Sequence, residues 1–498
     1  MQLQRLGSEN AMNQEYQAAL EHPGQEAFDS ACFHGRKIKH CTGKMVNLLH
    51  LVQTNMHMIK TVGNVTFWSL AVSLGGFLFG FDTAVISGGE QAIQKLWDLS
   101  DVMVGQMVAM GLYGTIIGAL TGGIPAERWG RKNTLFVIGI LYLICSIGSA
   151  MALNVEMLMA FRFIGGLGVG ASSVVAPMYI SEIAPQHKRG QLTALFQFNL
   201  VLGILMAYFS NFLIGAGTGD SWRLMLGIMA IPSAIFIISL LFVPESPRWL
   251  ITRRSRTEEA KQILKTIDPG TAEASLAAIQ SPHPENETSL AHFVSGKFNF
   301  PILLAFLFAF FNQWSGINAI IYYAPRILEE TGLGKSAALL STVGIGVVNL
   351  IFTMLGLSLI DRYGRRFLMF IGSFGYILSL SLVSIAFFRG TGGTMVPWLL
   401  FLFIASHAIG QGAVIWVFIS EIFPNRVRSW GASLGSSTHW LFAALIAGLF
   451  PHFNSKYGGG TIFLFFALMM VLQLLFVWKL MPETKGVSLE DLEKKLVK

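Results

Sequence analysis

From residue 65 onward the chain alternates between long apolar runs and short charged segments. A helix rises 1.5 Å per residue, so roughly 20 apolar residues cross the ~30 Å hydrocarbon core of a bilayer. Twelve runs reach that length, at roughly 65–88, 102–124, 134–153, 157–180, 192–215, 223–243, 299–323, 337–360, 367–388, 397–419, 430–450 and 462–481. Between the sixth and seventh lies a polar stretch, 244–297. Its Arg253, Arg254, Arg256, Glu258, Glu259, Lys261 and Lys265 read as short amphipathic helices rather than a span. The pattern predicts an all-α membrane protein of twelve transmembrane helices. It divides into a polar tail (1–60), a six-helix bundle (61–243), a helical linker (244–297), a second six-helix bundle (298–481) and a short tail (482–498).

The two halves repeat one another. Glu127-Arg128-Trp129-Gly130-Arg131-Lys132 follows span two, and Asp361-Arg362-Tyr363-Gly364-Arg365-Arg366 follows span eight. Ser181-Glu182-Ile183-Ala184-Pro185 returns as Ser420-Glu421-Ile422-Phe423-Pro424, and Pro244-Glu245-Ser246 as Pro482-Glu483-Thr484. Three matches at nearly one offset point to two related bundles with a substrate site between them near mid-membrane.

Charge sets the orientation. The loops after spans two, four, six, eight and ten hold about 17 Lys and Arg, against about 6 on the other side, and basic loops stay in the cytoplasm. Both termini and the linker are therefore expected there, in a plasma or inner membrane. Charged residues are only 13% of the chain, about half the usual share for a soluble protein. The net charge of +7 lies in loops between apolar runs, where it sets topology and does not signal nucleic acid. Three cysteines make no disulfide framework, and Cys145, inside an apolar run, reads as a small packing residue. Cys32, His34, His40 and Cys41 match no zinc spacing, so residues 1–60 read as a disordered tail, with Met45, Met56 and Met58 as alternative starts. No cofactor or metal is expected, and no nucleophile–base set suggests an enzyme. Asn64-Val65-Thr66 and Asn286-Glu287-Thr288 match the glycosylation pattern but fall on the cytoplasmic side of this topology.

Together these motifs resemble the sugar porter family of the major facilitator superfamily. The likeness covers about residues 65–490. It is carried by the paired Gly-Arg loops, by Pro244-Glu245-Ser246-Pro247-Arg248-Trp249-Leu250 and by Pro482-Glu483-Thr484-Lys485-Gly486. Gln313, Gly316-Ile317-Asn318 and Tyr322-Tyr323-Ala324-Pro325 in span seven complete it. Glu127 stands where the family often has Asp. The resemblance implies the major facilitator fold and transport of a monosaccharide, hexose or pentose, by a monomer in a lipid bilayer.

Charges inside spans are costly, about 2.5–3.5 kcal/mol each at mid-helix, so they mark function. Asp82 lies in span one and Arg162 in span four. One reading is a proton site in which Asp82 takes up a proton and Arg162 favours the ionised form until the conformation changes. The other is a static bridge between two helices. The resemblance favours the first, because proton-coupled members carry this Asp and Arg while facilitative members commonly have Asn for the Asp. Some proton-coupled relatives also have a Glu three residues before the span-six proline, where this chain has Met229 before Pro232.

A sugar is a ring of hydroxyls with an apolar C–H face, so amides and aromatic rings suit it. Span seven supplies Asn312, Gln313, Asn318 and Tyr322, span five Gln197, span eight Asn349, span ten Trp416, and span eleven His439 and Trp440. By resemblance these positions, with Phe79, contact sugar; singly, each amide could equally serve an interhelical hydrogen bond. Asn312 stands where Gln is usual and His439 where Gln or Asn is common. His407 with His439 resembles the fructose-selective facilitative members, which however lack the tryptophan kept here as Trp416.

Ser315-Gly316 and Gly410-Gln411-Gly412 are candidate helix bends for closing over substrate. Gly165-Gly166-Leu167-Gly168-Val169-Gly170 looks like a nucleotide loop, but no strand precedes it, and close helix packing is the expectation. By resemblance, Glu127, Arg128, Arg131, Glu182 and Arg189 in one half form a cytoplasmic gate with Asp361, Arg362, Arg365, Glu421 and Arg428 in the other. The same charges also set topology. The reading is a sugar:proton symporter working by alternating access. Its rivals are a facilitative uniporter and a sugar sensor, although sensors usually carry a longer tail than the about 16 residues after Pro482.

Overall fold

Every apolar run becomes helix in the computed structural model, which describes residues 65–215, 221–281, 290–390, 393–487 and 489–497, and no strand occurs among them. Cys32, His34, His40, Cys41, Asn64 and the Asn286-Glu287-Thr288 triplet lie outside the described residues. The first bundle contains α1 (Val65–Val85), α2 (Asp101–Thr121), α3 (Arg131–Ala150), α4 (Val155–Ile183), α5 (Arg189–Gly215) and α6 (Ser221–Leu241). The second begins with α7 (Asn299–Glu330), α8 (Lys335–Tyr363), α9 (Arg365–Arg389) and α10 (Val396–Glu421). Polar caps start two of these spans where the sequence turns apolar. Ser100 Oγ accepts from the Met103 amide at 3.3 Å, and Asn154 Oδ1 from the Met157 amide at 2.8 Å.

The last apolar helix, Arg428–Lys479, has 52 residues. At 1.5 Å per residue it would be roughly 78 Å long, more than twice the bilayer core. It bends back at Gly458, whose φ of 78° and ψ of 153° are not helical, giving α11 (428–457) and α12 (459–479). The helical segments long and apolar enough to cross a membrane number 11 among the described residues, and this one supplies two crossings. The loop expected between spans eleven and twelve is thus helix almost to the turn.

Glycine lets helices approach closely within and between bundles. A Cβ on Gly166 of α4 would lie 1.9 Å from the Gly111 carbonyl oxygen of α2, so the Gly165–Gly170 run is a packing face. Between bundles, a Cβ on Gly105 of α2 would lie 1.8 Å from the Gly448 carbonyl oxygen of α11. Tyr208 on α5 donates to the Ile321 carbonyl oxygen on α7 at 2.8 Å. These joints lie toward the end of the molecule away from the linker, here called the far end.

The linker contains helices Pro247–Arg254, Thr257–Ile267, Ala272–Gln280 and Leu290–Phe293. Ala260 and Leu264, one turn apart, face the linker's own small core of Trp249, Leu250, Ala272 and Leu276.

At the linker end the three repeated motifs of each half fold into one node. Gly130 has φ +98° and Gly364 φ +90°, values that exclude most side chains, and each starts a span. A Cβ at either would also collide with a carboxylate, Glu245 or Glu483. Glu245 accepts from the backbone amides of Arg131, Lys132 and Ser246 at 3.0, 3.1 and 2.8 Å. Glu483 does the same for Arg365, Arg366 and Thr484, each at 3.0 Å. Carboxylates at helix N-termini satisfy the free amides there and complement the helix dipole. Arg131 then pairs with Glu182 and Glu127 at 3.0 and 2.7 Å, and Arg365 with Glu421 and Asp361 at 2.8 and 3.2 Å. Ser246 and Thr484 hydroxyls close each node on Glu182 and Glu421 at 2.5 and 2.6 Å.

Candidate functional site

Midway along α7 the helix breaks. Residues Asn299–Trp314 and Ile317–Glu330 are separate helical pieces, joined at Ser315 and at Gly316, whose φ is +85°. The break turns side chains from both pieces toward each other. Gln313 Nε2 donates to Asn312 Oδ1 at 2.9 Å, and Asn318 Nδ2 donates to Gln313 Oε1 at 2.6 Å. Gln313 Nε2 also lies 3.2 Å from each ring nitrogen of His439 on α11. Four polar side chains from two spans form one network, with donors and acceptors in a low-dielectric setting.

An aromatic wall adjoins it. The His439 ring is 4.8 Å from Trp440 and 5.1 Å from Trp416, and Trp440 is 5.7 Å from Phe79 on α1. Trp416 remains 43% exposed although it sits within α10. α10 loosens just before it into a π-helical turn, Ala408–Gly412, where bending was expected. His407, at the edge of that turn, meets the Tyr376 hydroxyl at 2.5 Å.

The second centre is ionic. Arg162 Nη1 donates to Asp82 Oδ1 at 2.7 Å and to the Asp82 carbonyl oxygen at 3.2 Å. Both residues are buried, at 3% and 2% exposure, in the first bundle. The Cys145 thiol lies 3.7 Å from Asp82 Oδ1, so this cysteine, expected to be mere packing, touches the acid. The two centres are neighbours along α1 and α7: Phe79 of the aromatic wall lies one turn before Asp82, and Tyr322, one turn beyond Asn318, lies within electrostatic reach of the ion pair.

Comparisons with known proteins agree with this geometry. The family model described as "Sugar (and other) transporter" matches residues 68–496. A probable metabolite transport protein of Bacillus subtilis (strain 168) is 38% identical over 434 residues, covering 86% of this chain and 93% of the relative. The arabinose-proton symporter of the same organism is 37% identical over 447 residues, covering 88% and 96%. The inward open structure of the xylose transporter XylE from E. coli superposes with a TM-score of 0.78 at 32% identity, covering 87% of this chain and 100% of that one. This chain belongs to the sugar porter family of the major facilitator superfamily. It is a transporter and not an enzyme.

The porter brings together seven of the ten expected sugar residues: Phe79, Asn312, Gln313, Asn318, Trp416, His439 and Trp440. Tyr322 stands apart, at the ion pair. Gln197 makes no hydrogen bond among the described residues, and Asn349 Oδ1 accepts only from Thr353 of its own helix, at 3.3 Å. Of the expected gate residues, Glu127, Arg131, Glu182, Asp361, Arg365 and Glu421 form the two nodes. Arg128, Arg189, Arg362 and Arg428 make no ion pair among the described residues. Among the described residues neither node reaches across to the other bundle. The sequence reading missed a buried ion pair at the far end of the porter, between Glu90 and Arg326, 236 residues apart. Both flank spans as they were drawn from hydropathy. Only Glu90-Gln94, one helical turn apart beside span one, offered a local hint.

Proposed function

We propose that this porter carries a monosaccharide, a hexose or pentose, across the plasma or inner membrane in symport with a proton, by alternating access. The observation that carries the reading is the adjacency of the two centres. A network of amides and an aromatic wall suited to hydroxyls and C–H faces lies next to a buried carboxylate–guanidinium pair, with Phe79 of that wall one turn before Asp82 on α1. Sugar would hydrogen-bond Gln313, Asn312, Asn318 and His439 and rest against Trp416, Trp440 and Phe79. Gln197 and Asn349 would join only as the bundles close. A proton on Asp82 would free Arg162, and the bundles would rock about the site.

The linker end is cytoplasmic in this reading, with both termini, and the far end faces outside. The joined far end and the separate linker-end nodes then describe an inward-facing state. Tightening the nodes against each other through Arg128, Arg189, Arg362 and Arg428 would produce the outward-facing one. A monomer surrounded by lipid suffices, since both halves of the site come from one chain. The arabinose-proton and xylose relatives support sugar and proton as cargo.

Facilitative uniport is the second reading, favoured by Met229, buried where some coupled relatives carry an acid. The deciding experiment is uptake of a labelled sugar panel into proteoliposomes with and without an imposed proton gradient. Accumulation of one sugar above equilibrium on the gradient is expected. Exchange of that sugar without gradient-driven accumulation makes the porter a uniporter, and no saturable flux of any sugar overturns both readings.

A further inference from the structure

At the far end one arginine adds an ionic joint between the bundles to the Gly105–Gly448 packing and the Tyr208–Ile321 hydrogen bond. Arg326, on α7, donates from Nε to Glu90 Oε1 at 2.9 Å, from Nη2 to Glu90 Oε2, and from Nη2 to Gln94 Oε1 at 2.6 Å. Asp101 Oδ1 lies 3.8 Å from its Nη1. All three acceptors belong to the first bundle: Glu90 and Gln94 on the short helix Glu90–Leu96, and Asp101 on the first turn of α2. The Glu90 side chain is fully buried and that of Arg326 is 12% exposed. Behind the guanidinium is a cavity of about 330 Å³, lined by Asp101, Glu330 and Asn454 among others. Glu330 is tied to Asn454 within the second bundle, at 2.8 and 3.0 Å.

A buried ion pair is a poor choice for stability alone, because desolvating both charges offsets most of their attraction and an apolar pair packs as well. It is well suited to a joint that must open. Closed, the carboxylate and guanidinium satisfy each other. Opened, both return to water, which replaces the lost contact, whereas two apolar surfaces would pay the full hydrophobic cost of separation. Charge complementarity also sets register: the fork of Arg326 meets both oxygens of Glu90 in one orientation of the bundles.

We propose that the Glu90–Arg326 pair is the far-end clasp of this porter, and that its strength sets the ratio between the two facing states. Gln94 and Asp101 act as positioning residues that aim the guanidinium. The clasp rests on the alternating-access reading, and it extends that reading in a defined direction. Substrate arriving at the far side binds only the state open there, so its apparent affinity scales with that state's population. Weakening the clasp raises far-side affinity and lowers linker-side affinity together. General damage to the fold would lower both.

The test is a distance measurement on the full chain in lipid nanodiscs without sugar. Spin labels are placed at Lys95→Cys in the first bundle and Ser455→Cys in the second, both exposed at the far end, with Cys32 and Cys41 replaced by serine. Pulsed dipolar spectroscopy should give mainly the short separation for Glu90 and Arg326 intact. In E90Q, and in the neutral pair E90Q/R326Q, which leaves no unpaired buried charge, the ratio of long to short separations should rise about fivefold or more. Distributions in both variants that coincide with the unmodified porter overturn the clasp. Because no sugar is present, a shifted distribution in a porter that moves no sugar keeps the clasp and removes the transport reading. Sugar uptake with unmoved distances does the reverse.

Discussion

Among the described residues Asp82 has one strong partner. Arg162 meets it at 2.7 Å, and the weak Cys145 thiol at 3.7 Å. Asp82→Asn imitates the protonated acid in shape and charge. It should retain exchange of labelled for unlabelled sugar across vesicles and lose accumulation on a proton gradient, because no proton can leave to complete the cycle. Accumulation that survives in the Asn variant removes Asp82 from the coupling step. Gln313 is the hub of the amide network, touching Asn312, Asn318 and His439. Gln313→Ala takes away a donor and an acceptor whose loss costs about 1–3 kcal/mol for each group left unmet. Sugar affinity should fall at least about tenfold with normal membrane insertion, as read by equilibrium binding. Glu245, outside the spans, presents a different balance. Burial pushes its carboxyl up to about 7, against the pull of the Ser246, Lys132 and Arg131 amides toward the charged form. The unfolded chain ionises near the ordinary value of 4.5. Below that value both states hold the proton. Between it and about 7 the unfolded chain releases its proton first, so stability falls as pH rises. The full shift corresponds to at most about 3 kcal/mol, which residual contact with water reduces. The melting temperature of the unmodified porter should therefore fall relative to Glu245→Gln between pH 5 and 7.5. Parallel profiles of the two proteins would place the ordinary carboxyl value at this position.

At the scale of elements, the bends matter more than the helices. Hydropathy located most spans within a few residues, because a run of apolar side chains in lipid must hydrogen-bond its backbone internally, although α7 and α11 run on past the drawn ends to Glu330 and to the turn at Gly458. The glycines within the spans also pointed to Ser315-Gly316 and Gly410-Gln411-Gly412, where the chain does depart from α-helix. Hydropathy did not foresee the continuous helix through Pro451 to Gly458, since a proline and a polar stretch suggest a loop. Gly316 holds the α7 break open. Its φ of +85° disfavours any side chain, and a Cβ there would lie 2.5 Å from the Phe466 ring. Gly316→Ala should therefore straighten or displace the break, misalign Asn318 from Gln313, and lower sugar affinity about tenfold while the protein still inserts. Adding Phe466→Leu should relieve the collision and recover part of the loss, leaving the φ penalty of about 1 kcal/mol. Binding in Gly316→Ala equal to that of the unmodified porter would mean the break is unnecessary for the site.

For the whole molecule, the bias of Lys and Arg toward the linker end predicts its placement in the cytoplasm. A reporter active only in the cytoplasm should be active when fused after Lys498 or within 252–281, and silence at both sites reverses the orientation. The sequence by itself determined the number of spans, the two-bundle plan and the motifs of each linker-end node, because those follow from local hydropathy and from an internal repeat. It marked Asp82 and Arg162 as partners, since two opposite charges deep in lipid have few alternatives. Tertiary structure alone decided which of the ten candidate sugar residues meet. Asn312, Gln313, Asn318 and His439 converge, while Gln197 and Asn349 do not, because convergence depends on helix rotation and on which end of the bundles is closed. It also decided the union of Glu90 with Arg326. Residues 236 positions apart at the edges of two spans carry no local signal of each other. Only the packing of one bundle on the other desolvates both charges, and desolvation is what makes their pairing matter.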